Sequence, residues 1–323
     1  EGDFRSGNME GQGVYRFANG NIYHGEWKND KSHGQGKYIF KNGDSYIGDF
    51  SNGEEDGEGI FTYSNGEKYE GEYKNGKRSG QGKFFFKNGN KYEGEFWNGV
   101  KNGKGKFKYP NGNIYDGEWK DDNRHGQGTF TYVNGSSYTG EWSNGLIHGY
   151  GNYKYINGDI YEGDFNKGEM HGWGYYKFKN GNEYHGQWEN DKIEGEGIYT
   201  SVAGNSYEGY FSDGRLDGPG SFRSYLGETY VGNWLGGRMH GKGLYVFANG
   251  SKYEGEWVHD KRTGYGIYSY ANGSIYEGTF NNGERHGKGK YKNINGDIYE
   301  GHWVNNRMEG QGTYFYENGD TYI

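Results

Sequence analysis

The chain has 323 residues, only 30% of them apolar and 66 of them glycine, which is too poor in aliphatic side chains for the deep core of an ordinary globular domain. Its formal charge of -8, with acidic and basic residues interspersed along the whole length, argues against nucleic acid as a partner, and the absence of cysteine removes disulfides and thiolate chemistry. No run approaches the roughly 18 apolar residues of a helical membrane span, and no signal peptide opens the chain.

A tyrosine recurs every 23 residues from Tyr23, Tyr46 and Tyr69 to Tyr322, without insertion or deletion, so one unit is repeated fourteen times. The chain opens inside a unit at Glu1 and stops just inside another at Tyr322-Ile323, as expected of a segment of a longer array. Residues 1–323 are thus predicted to be one continuous array, each unit depending on its neighbours for burial.

With the tyrosine as first place, a representative unit starts at Tyr253. Tyr253, Gly255 and Trp257 alternate with Glu254 and Glu256, the period-two signature of a strand with an aromatic face and a charged face. A longer loop is expected next, closed by Gly264 at the twelfth place in a backbone angle that other residues resist. Gly266, Tyr268 and Tyr270 form a second alternating run, in which glycines leave gaps that neighbouring rings can cover. The Ala271-Asn272-Gly273-Ser274 turn, read as type I′, leads into Tyr276. Lysines at the fifteenth and seventeenth places, such as Lys106 and Lys108, are expected to lie across from glutamates at the second and fourth, such as Glu93 and Glu95.

The predicted fold is therefore all-β: an elongated, single-layer antiparallel meander of about fourteen 23-residue β-hairpin repeats, about 28 strands spanning roughly 130 Å as a twisted strip or groove.

The pattern Tyr-x-Gly-x-(Trp/Phe/Tyr)-x-x-Gly-x-x-x-Gly-x-Gly-x-(Tyr/Phe), complete from Tyr69 to Phe84 and from Tyr138 to Tyr153, closely resembles the MORN (membrane occupation and recognition nexus) repeat over the whole chain. That resemblance implies an all-β array. It also implies a scaffolding or tethering role, since such proteins occur in protist cytoskeletal scaffolds, radial spoke heads and other ciliary assemblies, membrane contacts, and accessory regions of phosphatidylinositol phosphate kinases.

Nothing in the unit reads as a reaction centre or a cofactor site. Six histidines, His33, His125, His148, His171, His240 and His286, share the eleventh place. Successive copies, about 9 to 10 Å apart, cannot share a metal, and a ring nitrogen bonded to the backbone is the expected role. Gly126-Gln127-Gly128 and its equivalents open strands, not the helix of a phosphate loop.

Function in a periodic array should show as departures from the average. The tenth place is basic in Arg78, Lys101 and Arg124, apolar in Ile147, Met170, Ile193, Leu216 and Met239, and basic again in Arg262 and Arg285. The five apolar residues are predicted to form an exposed stripe about 40 Å long, either a partner contact or loops packed on one another. Tyr150, Trp173, Tyr175 and Ile198 replace polar residues on the opposite face. A kink or local break is expected near 200–226, where Ala203-Gly204 and Leu226-Gly227 replace Asn-Gly, Ser201 and Ser224 replace aromatics, and Pro219 enters a strand.

The leading expectation is a non-enzymatic scaffold of a cytoskeletal or ciliary complex, with a homodimer through unpaired sheet edges also expected. The alternatives are a tether with weak contact to acidic membrane lipid, for which Arg78, Lys101 and Arg124 would form a local basic strip, and an accessory region of a larger enzyme.

Overall fold

A computed structural model describes residues 1–323 as all-β, with 29 strands, no helix and antiparallel pairing throughout. The chain divides into two compact units, one of Glu1–Ile156 with Phe165–Gly168 and one of Asn157–Asp164 with Glu169–Ile323. Within each, a strand pairs with its chain neighbours, and the repeat alternates a seven-residue strand such as Ile22–Lys28 with a nine-residue strand such as Lys31–Ile39.

The two turns of the repeat exchange the roles expected of them. The tight two-residue turn lies at the seventh and eighth places, where Asn29 and Asp30 have φ of 51° and 66°, and it absorbs the expected long loop into strand. Side-chain amides and carboxylates suit this left-handed backbone, which explains the Asn, Asp and Gly found there. In the Asn-Gly turn only the glycine is left-handed, as in Gly43 at φ 92°. That turn is longer, closed by Phe40 N–H to Asp44 carbonyl at 3.0 Å and Gly43 N–H to Phe40 carbonyl at 3.0 Å.

A β-bulge in each hairpin, such as the register shift between Gly25 and Trp27, accommodates the twelfth-place glycine. Gly34 has φ of 57°, and a Cβ there would meet the Glu26 carboxylate. That carboxylate accepts the Gln35 N–H at 3.2 Å, so the fourth-place acid holds the bulged backbone in place, and the seventeenth-place lysine expected to face it lies elsewhere, as Lys108 does opposite Lys91 and Ile114. The same bond recurs from Glu58 to Asp49 at 2.9 Å and from Lys104 to Glu95 at 3.1 Å.

The thin core lies on one face. The Tyr23 side chain is buried, its ring lies over Gly25 and Gly36, and its hydroxyl donates to the Glu26 carbonyl at 2.9 Å. Trp27 and Phe50 meet that ring edge-on, each at 5.0 Å, and the herringbone continues from Tyr46 to Phe50 and Tyr73. A second row runs from Tyr38 through Phe40 to Phe61.

Residues 200–226 hold together without a break. Ser206–Ser212 pairs with Arg215–Arg223, and Arg215–Arg223 with Thr229–Leu235. The Asn205 N–H donates to the Ser201 hydroxyl at 3.1 Å, taking the place of the bond that Asn normally supplies. Disturbance appears in the rings instead: Tyr207 leaves its glycine uncovered and packs against Phe222 at 4.8 Å, while Trp234 lies over Gly220.

Candidate docking surfaces

The tenth-place side chains lie on the aromatic face, opposite the fifth-place ring of their own hairpin, as in Trp188 with Ile193 and Trp234 with Met239. The expected exposed stripe is therefore not formed: Met170 and Leu216 are buried, and Ile147, Ile193 and Met239 are half-buried. Because the predicted loop is strand, these residues sit over the rings, and their backbones serve the next turn. Asp191 accepts the Met170 N–H at 2.8 Å and Asp260 the Met239 N–H at 2.9 Å, while the Ile147 carbonyl accepts the Gly168 N–H at 2.8 Å.

The basic residues of that place fill the same slot. The Arg124 guanidinium is 4.3 Å from the Trp142 ring centre, and the Lys101 ammonium is 4.3 Å from that of Trp119. Arg124 also donates to the Gly145 carbonyl at 2.5 Å and Arg78 to that of Gly99 at 2.5 Å. Burial lowers the Lys101 pKa. The expected basic strip is thus spent on the protein's own rings and carbonyls.

The second face varies along the chain. Lys83 meets Glu93 at 3.1 Å, Lys106 meets Asp116 at 2.8 Å and, in the second unit, Lys290 meets Glu300 at 2.6 Å, joining fifteenth and second places as expected, whereas Ile47 faces Ile60 at those places. Tyr150 stands exposed on this face as well. In the second unit Trp173, half exposed at 50%, faces Gln187, and Tyr175 faces His185. The Trp173 ring meets His185 edge-on at 6.3 Å. Val231 faces Leu244, and with Tyr265 and Ile267 these line an open recess of about 500 Å³. The nine residues singled out in the sequence thus fall on opposite faces and make no single site.

Tyr210 was the residue missed. It is the one aromatic at the fourth place, exposed at 48%, and its hydroxyl donates to Glu196 at 2.8 Å. In the sequence the fourth place reads only as charge, and an aromatic there carries no signal without the strand register that sets Tyr210 opposite Glu196. The histidines also differ from expectation: Nδ1 of His171 and of His240 is buried without a hydrogen-bond partner, and neither ring is tied to backbone through it.

An open antiparallel sheet built of identical hairpins, buried on one face by rings and variable on the other, defines a β-repeat protein of the scaffold or interaction class. The MORN repeat profile matches fourteen consecutive segments: 1–22, each unit from 23–45 to 184–206, 207–225, and each unit from 230–252 to 299–321. The chain belongs to the MORN repeat family.

No curated protein matches the sequence. Among solved structures, similarity is found to the TCP domain of SAS-4 (dCPAP) of Drosophila melanogaster, in complex with a proline-rich motif of Ana2 (dSTIL). It is 16% identical, covers 55% of this chain and 90% of that one, and has a TM-score of 0.32. The TCP10 domain of Danio rerio CPAP, in complex with a STIL peptide, is 10% identical over 89% of this chain and 96% of that one, with a TM-score of 0.20. Virginiamycin B lyase from Staphylococcus aureus is 12% identical over 87% and 90%, with a TM-score of 0.14. Likeness at this level carries no inference about function.

Proposed function

We propose that the chain is a docking platform within a cytoskeletal or ciliary assembly, receiving partner proteins on the second face of its second unit. The observation that carries this reading is the division of labour between the faces. The first-place tyrosines, the glycines and the tenth-place side chains hold the repeat together on one face, whereas Trp173, Tyr210, Val231 and Tyr265 project from the other face with much of their area exposed. Apolar area held in solvent on a regular scaffold is a contact surface, and large rings are the residues that supply binding energy at protein contacts. The cytoskeletal or ciliary setting is supported by the settings in which other MORN proteins work.

The test is fractionation of cells expressing tagged protein, followed by crosslinking and mass spectrometry, with Trp173→Ala, Tyr210→Ala and Tyr265→Ala combined as the comparison. Wild type is expected in the detergent-insoluble cytoskeleton with a defined partner set that the triple variant loses. Wild type in the soluble fraction, or an unchanged partner set with the folded variant, defeats the proposal.

A further inference from the structure

One stretch of the second face gathers acidic and apolar groups with no lysine or arginine among them. Trp173, Ile198, Tyr210 and Pro219 line an open recess of about 440 Å³ together with Glu196 and Glu208. The register places Glu196 opposite Tyr210 and Ile198 opposite Glu208. Where the regular repeat sets a lysine against the second-place acid, as Lys106 faces Asp116 at 2.8 Å, Ile198 leaves Glu208 with no ion pair. Glu196 takes a hydrogen bond from the Tyr210 hydroxyl at 2.8 Å and has no cation either.

His185 also lines the recess, whereas Gly197 and Gly209, opposite each other as in every repeat, open toward the aromatic face, where a Cβ on Gly197 would meet the Tyr184 ring. The neighbouring Pro219 and Trp173 offer flat apolar faces to the residues on either side of a bound cation.

Two unpaired carboxylates repel phosphate, which excludes nucleic acid and anionic lipid from this recess and selects a cation. Exposed Trp and Tyr rings narrow the choice, because a guanidinium is planar, stacks on aromatic faces and engages carboxylates through several donors at once, whereas an ammonium is a compact and strongly hydrated point charge. We propose that the recess takes an extended segment of a partner protein in which an arginine, flanked by proline or aliphatic residues, sets its guanidinium between Glu196 and Glu208 and against the Tyr210 ring. This rests on the docking reading above and names the chemistry of what docks. Pro219, which the sequence suggests as a strand breaker, becomes part of the seat.

The experiment is selection of a displayed random-peptide library on the whole folded chain, followed by affinity measurement on wild type, on Glu196→Gln/Glu208→Gln and on Trp173→Ala. The glutamines keep shape and surface exposure, and circular dichroism melts verify that each variant is folded. Enriched peptides are expected to carry arginine beside proline or an aliphatic residue. They should lose about tenfold or more in affinity on the double glutamine variant, as expected for charge-assisted hydrogen bonds, and weaken when their arginine becomes lysine. Absence of enrichment, or enrichment of peptides without arginine, overturns the proposal. Peptides that bind the glutamine variant as well as wild type overturn the arginine seat while leaving the docking reading intact, and that reading falls only with the cell fractionation result.

Discussion

The contact between Tyr161 and Gly174 shows how little freedom a residue has in this repeat. A Cβ on Gly174 would come within 2.4 Å of the ring, and the ring cannot retreat because the Tyr161 hydroxyl is bound to the Asp164 carbonyl at 2.9 Å. Gly174→Ala is expected to destabilise the fold by about 1 to 3 kcal/mol through overpacking, and Gly174→Val by more. Lys177→Ala nearby should stay within about 0.5 kcal/mol, and equal losses in urea titrations would show that the ring is not fixed. Glu55 is the opposite case, a side chain in the wrong slot. It lies opposite Phe50, where other repeats place Arg, Met or Leu, and burial pushes its carboxyl above the usual range. Because the folded state holds that proton more tightly than the unfolded chain, stability is greatest at low pH and falls as pH rises from the ordinary carboxylate value of about 4. Glu55→Met should therefore stabilise by about 1 kcal/mol at neutral pH, with the gain shrinking near pH 4. A gain independent of pH in thermal melts would rule out the ionised carboxylate as its source.

At the scale of the hairpin, the fourth and thirteenth places behave as one device. A fourth-place acid normally accepts the thirteenth-place N–H, as Glu72 accepts from Gln81 at 2.8 Å. In the hairpin of Ser206–Ser212 and Arg215–Arg223 both partners are gone together, since Tyr210 lacks the acceptor and Pro219 lacks the donor. Pro219→Gln alone restores an N–H with nothing to receive it, and Tyr210→Glu alone restores an acid with nothing to hold. The double substitution should recover about 1 kcal/mol relative to the sum of the singles, measured as a double-mutant cycle in urea, and additive effects would deny the coupling. This pair also marks where sequence reading succeeded and stopped. Strict alternation around Tyr253, Gly255 and Trp257 was enough for the hairpin, the aromatic face and the roles of all three glycine places, because each follows from local periodicity. Which turn is tight was not legible, because Asn-Gly signals a type I′ turn wherever it stands, and only pairing across strands assigns that geometry to Asn29-Asp30. The tenth place was misjudged for the same reason: read as loop, Met170 and Leu216 belong outside, and read as strand they belong over the rings. The recess around Glu208 needed the register itself, since Ile198 and Glu208 become neighbours only when two strands are aligned.

Over the whole chain, the same tyrosine contact is made again and again, so a weakness in it is shared by every repeat. Burial pushes the hydroxyls of Tyr23, Tyr230, Tyr253 and Tyr276 up to about 12, and it raises those of Tyr46, Tyr69, Tyr92, Tyr115, Tyr138 and Tyr184 as well. A raised folded value means that the native state keeps protons that the unfolded chain gives up. Stability from these groups is complete below the ordinary tyrosine value of about 10 and is lost as pH climbs through the interval up to the folded values. The slope of stability against pH grows with the number of protons released on unfolding. Ten hydroxyls released together give a far steeper response than one, and repeats that depend on their neighbours pass the failure along. The strand signal in circular dichroism should therefore hold to about pH 10 and collapse well before the buried hydroxyls would titrate in an intact fold, with tyrosinate absorbance rising in the same narrow interval. Tyr207, which lies outside the herringbone, offers the internal comparison: burial raises its hydroxyl too, but Tyr207→Phe removes no bond to a neighbouring carbonyl and should move that midpoint less than Tyr230→Phe, which removes both a titrating group and its bond to the Asn233 carbonyl at 2.9 Å. Gradual tyrosine ionisation on an unchanged strand signal would mean that the rings ionise in place and that the hydroxyl bond is not what locks each repeat.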